Sequence, residues 1–389
     1  MVQASKGVDR AKEIYQERSQ RARELKGEGR AIMGYICIYP PVEMITALGL
    51  VPYRILGDMR EPITKADAYL PTVVCPFIRS FVDLGLKGKY NFLDGVVGCH
   101  VCDVGEKVPH IWQSFAHFPY YHFVDVPHRK HEPAQKFFRS QLNDFKKTLE
   151  AFAGRELSTE KLKGAIEVHN QQRALVRELY DLRKPDPPLI SGTETFQVIK
   201  ALMSLPVEEG NHLLRQIVDQ VKERRDGPQK KAARILVWGS IIDDVVMIEM
   251  IESAGANVVM DDTCVGSRAY WGDVKLTEDP LDGLATHYLV DIKCPRTFSE
   301  PPLVGTQKDY MADLQSRFSY LKDYVKEWAA NGVMLQSVKY CDTHGYEVPG
   351  LEDYFDSLGL PTTYLEHDYS EGSLAPLRTR TQAFLEVIG

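Results

Sequence analysis

Residues 95–107, GVVGCHVCDVGEK, decide how the chain is read. The run from Gly95 to Cys99 is apolar without alternation, as expected of a strand buried on both faces. It stops at a turn carrying His100, Cys102 and Asp103, after which a helical pattern resumes.

The same punctuation recurs to either side. AIMGYIC (31–37), VPYRIL (51–56), FLDGVVGC (92–99) and YYHFVDV (120–126) alternate with the helical PVEMITALG (41–49) and PFIRSFVDLGL (76–86). Such alternation predicts a parallel sheet covered by helices. From Glu132 to about Gly227 three long helical segments follow, among them STEKLKGAIEVHNQQRALVRELYDLRK (158–184), whose opening Ser158 and Glu160 resemble a capping box. After the charged joint DGPQKKA (226–232), strands are expected at RILVWGS (234–240), ANVVMDD (256–262), HYLVDIKC (287–294), VMLQSVKYC (333–341) and TTYLEHD (362–368). Between the third and fourth of these, Met311, Leu314, Phe318, Leu321, Val325 and Trp328 recur at helical spacing. The expected organisation is an α/β domain over 1–131, a helical segment over 132–232 and a second α/β domain over 233–389.

Composition limits the partners. The 389 residues are 44% hydrophobic and 26% charged, with a formal charge of −7 that argues against a nucleic-acid or anionic-membrane surface. The apolar-looking stretch 34–57 is interrupted by Pro40, Pro41, Glu43, Pro52 and Arg54, so no membrane span is expected. The charged N-terminus has no secretory core, so a cytoplasmic location is expected.

Of seven cysteines, Cys37, Cys99, Cys264, Cys294 and Cys341 fall where predicted strands run out, the edge at which open α/β sheets bind ligands. Cys75 precedes a helix and Cys102 heads the CDVGEK turn. Cys37 and Cys294 fit core positions best, whereas Cys75, Cys102, Cys264 and Cys341 lie among turn and charged residues. Spacing alone leaves three readings of Cys99 and Cys102 open: a redox pair, part of a zinc site, or ligands of an iron-sulfur cluster drawn from separate loops.

YPPVEMITALGLVPYRILG (39–57), TVVCPFIRSFVDLGL (72–86), VCDVGEK (101–107) and VKYCDTHGYEVPGLEDYFDSLGLPTTYLEHDY (338–369) resemble, in order and over nearly the whole chain, the 2-hydroxyacyl-CoA dehydratase and benzoyl-CoA reductase superfamily. The resemblance implies two Rossmann-like domains and a [4Fe-4S] cluster held by one cysteine from each cysteine motif, here Cys75, Cys102 and Cys341. One iron is then open to water, sulfide or substrate. Cys99 and Cys264 are additional thiols, and relatives with a double-cubane cluster use more than three. LGLKGKYNFLDGVVGCHVCDV (84–104), FVDVP (123–127) and LPVEEGNHLL (205–214) are most similar to the smaller cluster-bearing subunit of ATP-dependent benzoyl-CoA reductase. That likeness implies a larger homologous partner subunit, an acyl-CoA substrate and a low-potential donor such as ferredoxin. ATP is used only through separate iron-sulfur activator subunits, in keeping with the lack of a G-x4-G-K-[ST] loop here. A 2-hydroxyacyl-CoA dehydratase subunit working through a ketyl radical is the alternative, and a non-catalytic supporting homologue is a third reading.

Other residues have plainer roles beside functional ones. Glu43 favours the start of a helix and is a weaker candidate for proton transfer; His100, beside the thiols, is a candidate proton donor or a structural histidine. The turn at Gly239 and Ser240 offers N–H groups to an anion. Asp261, Asp262 and Arg268 form either a polar loop or a pocket wall. Tyr39, Tyr270 and Trp271 are expected near the mouth, able to pack on a ring.

Overall fold

The computed structural model describes residues 7–297 and 309–389. Among the described residues eight strands form two parallel four-stranded sheets. The first contains β1 (Ile32–Tyr35), β2 (Val51–Arg54), β3 (Gly95–Cys99) and β4 (Tyr120–Val124) in the order β2-β1-β3-β4. The second contains β5 (Ala233–Gly239), β6 (Ala256–Asp262), β7 (Gly332–Val338) and β8 (Thr362–His367) in the order β6-β5-β7-β8. The two orders are the same topology used twice. In each, the connections leave the first strand in opposite directions, which opens a crevice at the carboxyl ends of β1 and β3 and of β5 and β7.

Of the inner strands, β3, β5 and β7 are buried along their whole length and β1 over Ile32–Gly34, as the apolar runs require. Ser240 fastens the second crevice: its Oγ accepts from Val338 N at 3.1 Å, and its own N–H donates to Gln336 O at 3.3 Å. Gly239 is needed for this approach, since a Cβ there would stand 2.0 Å from Gln336 O. The Ser240 N–H that the sequence offered to an anion is therefore engaged within the sheet.

Between the sheets in sequence lie four helices, Glu132–Ala153, Thr159–Asp181, Gly192–Leu202 and Val207–Glu223, where three helical segments were expected. Ser158 caps the second through Lys161 N at 3.3 Å. The reciprocal capping box is elsewhere, at Ser191 and Glu194, and starts the extra helix. One apolar core joins all three parts, since Val51, Leu214 and Leu335 belong to the same cluster.

HYLVDIKC is not a strand. A helix capped by Asp279, Pro280–Thr286, runs into a π-helical turn over His287–Asp291. Leu281, Leu284, Ala285, Tyr288, Leu289 and Ile292 are buried at helical spacing in the core that also takes Phe138 and Leu142. The window that begins at His287 hides this period, which starts at Leu281. Cys294 accordingly follows a helical turn. Among the described residues no helix is long and apolar enough to cross a membrane.

Candidate functional site

The carboxyl edges of both sheets open onto one cavity of about 110 Å3. Cys37 follows β1 and Arg54 ends β2; Val101 and Cys102 follow β3. Ser240, Cys264 and Cys341 come from the corresponding ends of β5, β6 and β7. Six cysteines line it: Cys37, Cys75, Cys102, Cys264, Cys294 and Cys341. The remaining wall is chiefly apolar, with Ile36, Phe77, Ile78 and Val338.

Cys75, Cys102 and Cys341 share a local geometry. Each is the residue immediately before a helical segment: Pro76–Leu86, Asp103–Ala116 and the short turn Asp342–Gly345. Cys102 Sγ accepts from Gly105 N at 3.3 Å, and Cys341 Sγ stands 3.5 Å from His344 Nδ1. N–H groups aimed at sulfur favour the thiolate. Burial works the other way and dominates. It pushes the Cys75 thiol up to about 12, with Ile78 N–H opposing, and raises Cys102 and Cys341, the latter further through the charge Cys75 would carry. The thiols can thus ionise together only when a positive group enters among them, as metal binding provides.

Arginine supplies part of that charge. Arg54, 1% exposed, lies over the Tyr35 ring and forms no ion pair among the described residues. Among the described residues Arg296 donates to the backbone oxygens of Val126 and Pro127 alone. Arg268 is neutralised by Asp262 through two hydrogen bonds, at 3.1 and 2.9 Å, and reaches Cys264 Sγ at 3.4 Å and His344 Nε2 at 3.1 Å. With no carboxylate among the described residues of the cavity wall, these two buried guanidinium groups offset the negative charge that thiolates here would carry.

The iron-sulfur cluster implied by resemblance fits this donor set. Soft thiolates from separate loops, a helix N–H on Cys102, a small apolar cavity and the two arginines suit a thiolate-bound cluster whose net charge is negative. Among the described residues no three His, Cys, Asp or Glu side chains converge closely enough to hold a single metal ion.

Of the other sequence candidates, several lie apart from the cavity. Cys99 does not line the cavity; it is fully buried and donates to Ile36 O at 3.3 Å. Burial raises its thiol well above the ordinary value. Cys37 itself, read as core, faces the cavity from a left-handed backbone position, φ 69°. His100 pairs with Asp125 Oδ1 at 2.9 Å and lies outside the lining. Glu43 is fully buried, bound by Arg173 Nη2 at 2.5 Å and Tyr288 OH at 2.8 Å. Asp261 accepts from Tyr180 OH at 2.7 Å and anchors Ser267 N at 3.0 Å, so it shapes the loop around Cys264. Tyr39 lines the cavity, its OH 2.6 Å from Thr297 Oγ1, whereas Trp271 packs among Tyr180, Tyr324 and Trp328. Sequence reasoning missed Arg54, Arg296 and His344. The signal for Arg54 was legible, a charge inside the apolar run VPYRIL.

Comparison with known proteins gives one family model, described as 2-hydroxyglutaryl-CoA dehydratase, D-component, matching residues 37–388. Among curated proteins the chain is 26% identical over 364 residues to a benzoyl-CoA reductase subunit of Thauera aromatica, covering 92% of this chain and 91% of that one. It is 25% identical to the (R)-phenyllactyl-CoA dehydratase beta subunit of Clostridium sporogenes, covering 94% of each. It is 22% identical to the (R)-2-hydroxyglutaryl-CoA dehydratase beta subunit of Acidaminococcus fermentans, covering 93% of each.

Proposed function

The chain belongs to the 2-hydroxyglutaryl-CoA dehydratase D-component family, and from that premise we propose that it is the iron-sulfur subunit of an ATP-dependent benzoyl-CoA reductase. The observation that carries the reading is the single cavity lined by Cys75, Cys102 and Cys341 from both sheets, with Arg54 and Arg296 in its wall. These three thiolates would hold a [4Fe-4S] cluster. When bound, the cluster would supply two electrons, one at a time and at low potential, to an aromatic thioester, which with two protons from solvent becomes a cyclic dienoyl-CoA.

The protein's own part is electrostatic and steric. The arginines offset thiolate charge, the Gly105 N–H orients Cys102, the His344 imidazole stands against Cys341, and Ile36, Phe77, Ile78 and Val338 exclude water. The enzyme is completed by a larger homologous subunit, and an ATP-hydrolysing activator with a donor such as ferredoxin delivers the electron.

Protein isolated without oxygen should contain iron and acid-labile sulfide, and Cys75→Ser, Cys102→Ser and Cys341→Ser should each lose most of both. Three single variants with full iron and an unchanged paramagnetic signal would sink the assignment. A larger cluster is favoured by one observation, that Cys37, Cys264 and Cys294 line the same cavity. It predicts about eight rather than about four irons per chain and iron loss in those three variants too. The alternative reaction, dehydration of a 2-hydroxyacyl-CoA, is favoured by the dehydratase names of other relatives. Anaerobic assay of the complex with ATP and a low-potential donor separates them. A product two hydrogens heavier from benzoyl-CoA supports the reductase; loss of water from a 2-hydroxyacyl-CoA, with benzoyl-CoA untouched, replaces it by the dehydratase.

A further inference from the structure

Arg54 is the side chain that also lines a second cavity, of about 70 Å3, formed where β1, β2, the helix Thr159–Asp181 and the turn His287–Asp291 meet. No step of the proposed reaction has used it. Its polar wall consists of Arg54, His169, Gln172, Arg173 and His287, and its apolar wall includes Tyr270 and Leu205. Arg173 is neutralised by Glu43, and burial holds His169 and His287 down to about 4 and about 3, so both are uncharged. The charge of Arg54 is the one left over. Four polar atoms on this wall lack a hydrogen-bond partner among the described residues: Arg54 Nε, Gln172 Nε2, Arg173 Nε and His287 Nδ1. Their side chains are at least nine-tenths buried, at 1%, 6%, 4% and 2% exposure.

We propose that this second cavity binds the oxygen of a small carbonyl compound, a free carboxylate or the acyl end of a thioester, on Arg54 and Gln172. The unpaired groups are mostly donors, so the ligand is an acceptor. The residual charge is positive, so it is an anion or an oxygen that carries negative charge. The volume admits only a few heavy atoms. An oxygen on the Arg54 guanidinium stands at the wall of the thiol cavity, which makes Arg54 the positioning group between the two. The thioester source rests on the acyl-CoA reading above; the carboxylate source does not.

The test titrates the full-length protein, kept free of oxygen, with 13C-acetate and with S-methyl thioacetate, using sodium chloride as the ionic control. NMR line broadening and thermal shift are the readouts. Saturable acetate binding that Arg54→Gln abolishes and Gln172→Leu weakens about tenfold, the loss of one hydrogen bond, supports the site. Displacement of acetate by the thioester assigns the acyl end, and acetate binding without displacement assigns a free carboxylate. Absence of saturable binding by either ligand means that the donors are met by water only and overturns the proposal. Should Arg54→Gln fail to fold, unchanged acetate affinity in Gln172→Leu overturns it equally. Iron measured on the same samples keeps the two readings apart, because acetate binding in iron-free protein leaves this site standing while the cluster falls.

Discussion

Glu43 shows how a residue legible in kind is decided by its partners. In sequence it is an acid at a helix start; in the fold its two oxygens are taken by Arg173 and Tyr288, 130 and 245 positions away. Burial alone would raise its carboxyl, but the Arg173 charge brings it down to about 2. Glu43→Gln leaves Arg173 buried and uncompensated, so stability should fall by roughly 3–5 kcal/mol, measured by denaturant unfolding. Lost turnover at unchanged stability would point to proton transfer instead. A depressed carboxyl stabilises above its unfolded value of 4.5 and loses that contribution as pH falls towards about 2. Histidine adds an earlier loss. His169, 2.9 Å from Thr46 Oγ1, is held by burial at about 4, so the unfolded chain takes up its proton first as pH drops below 6.5. The melting temperature should decline from about pH 6.5 to about pH 4, and His169→Gln should flatten that slope.

At the scale of elements, the cysteines depend on turns built for them. The helix Asp103–Ala116 begins with Cys102, whose sulfur is met by Gly105 N, and a Cβ at Gly105 would stand 2.1 Å from Val101 Cγ2. Gly105→Ala must shift the Val101–Cys102 turn, so iron content should fall in this variant while circular dichroism stays close to that of the parent. Full iron in Gly105→Ala would show that the turn tolerates the methyl group. The strand-turn-helix rhythm was legible because apolar runs and turn residues are local. The misread HYLVDIKC was not, since a short apolar run carries no period by itself and its partners, Phe138 and Leu142, lie far away in sequence.

The whole molecule brings two copies of one topology edge to edge, so a site at either crevice is also a site of the other. Apolar side chains stand exposed beside the cysteine loops: Val73 at 64%, Tyr340 at 44% and Tyr346 at 83%. A partner subunit that covers these loops would bury them and close the cavity, as the relatives' names as subunits suggest for the family. Co-expressed with a larger homologous subunit, the chain should elute as a complex on size exclusion, and Val73→Asp with Tyr346→Asp should weaken that complex. A monomer with full activity would defeat the expectation.

The sequence by itself determined the alternation of strands and helices, the parallel sheets it implies and the motifs that resemble the family, because buried strands, caps and turns are written in neighbouring residues. Only the tertiary structure decided which thiols share a cavity. Cys99 and Cys102 are three positions apart yet part company, since Cys99 ends a strand facing the core and Cys102 begins a helix facing the cavity. Cys37 and Cys294, unremarkable in their segments, are turned into the cavity by a left-handed backbone and a helical turn. Which face a side chain takes at a strand end depends on the register and on what packs behind it, and neither is a local property of the chain.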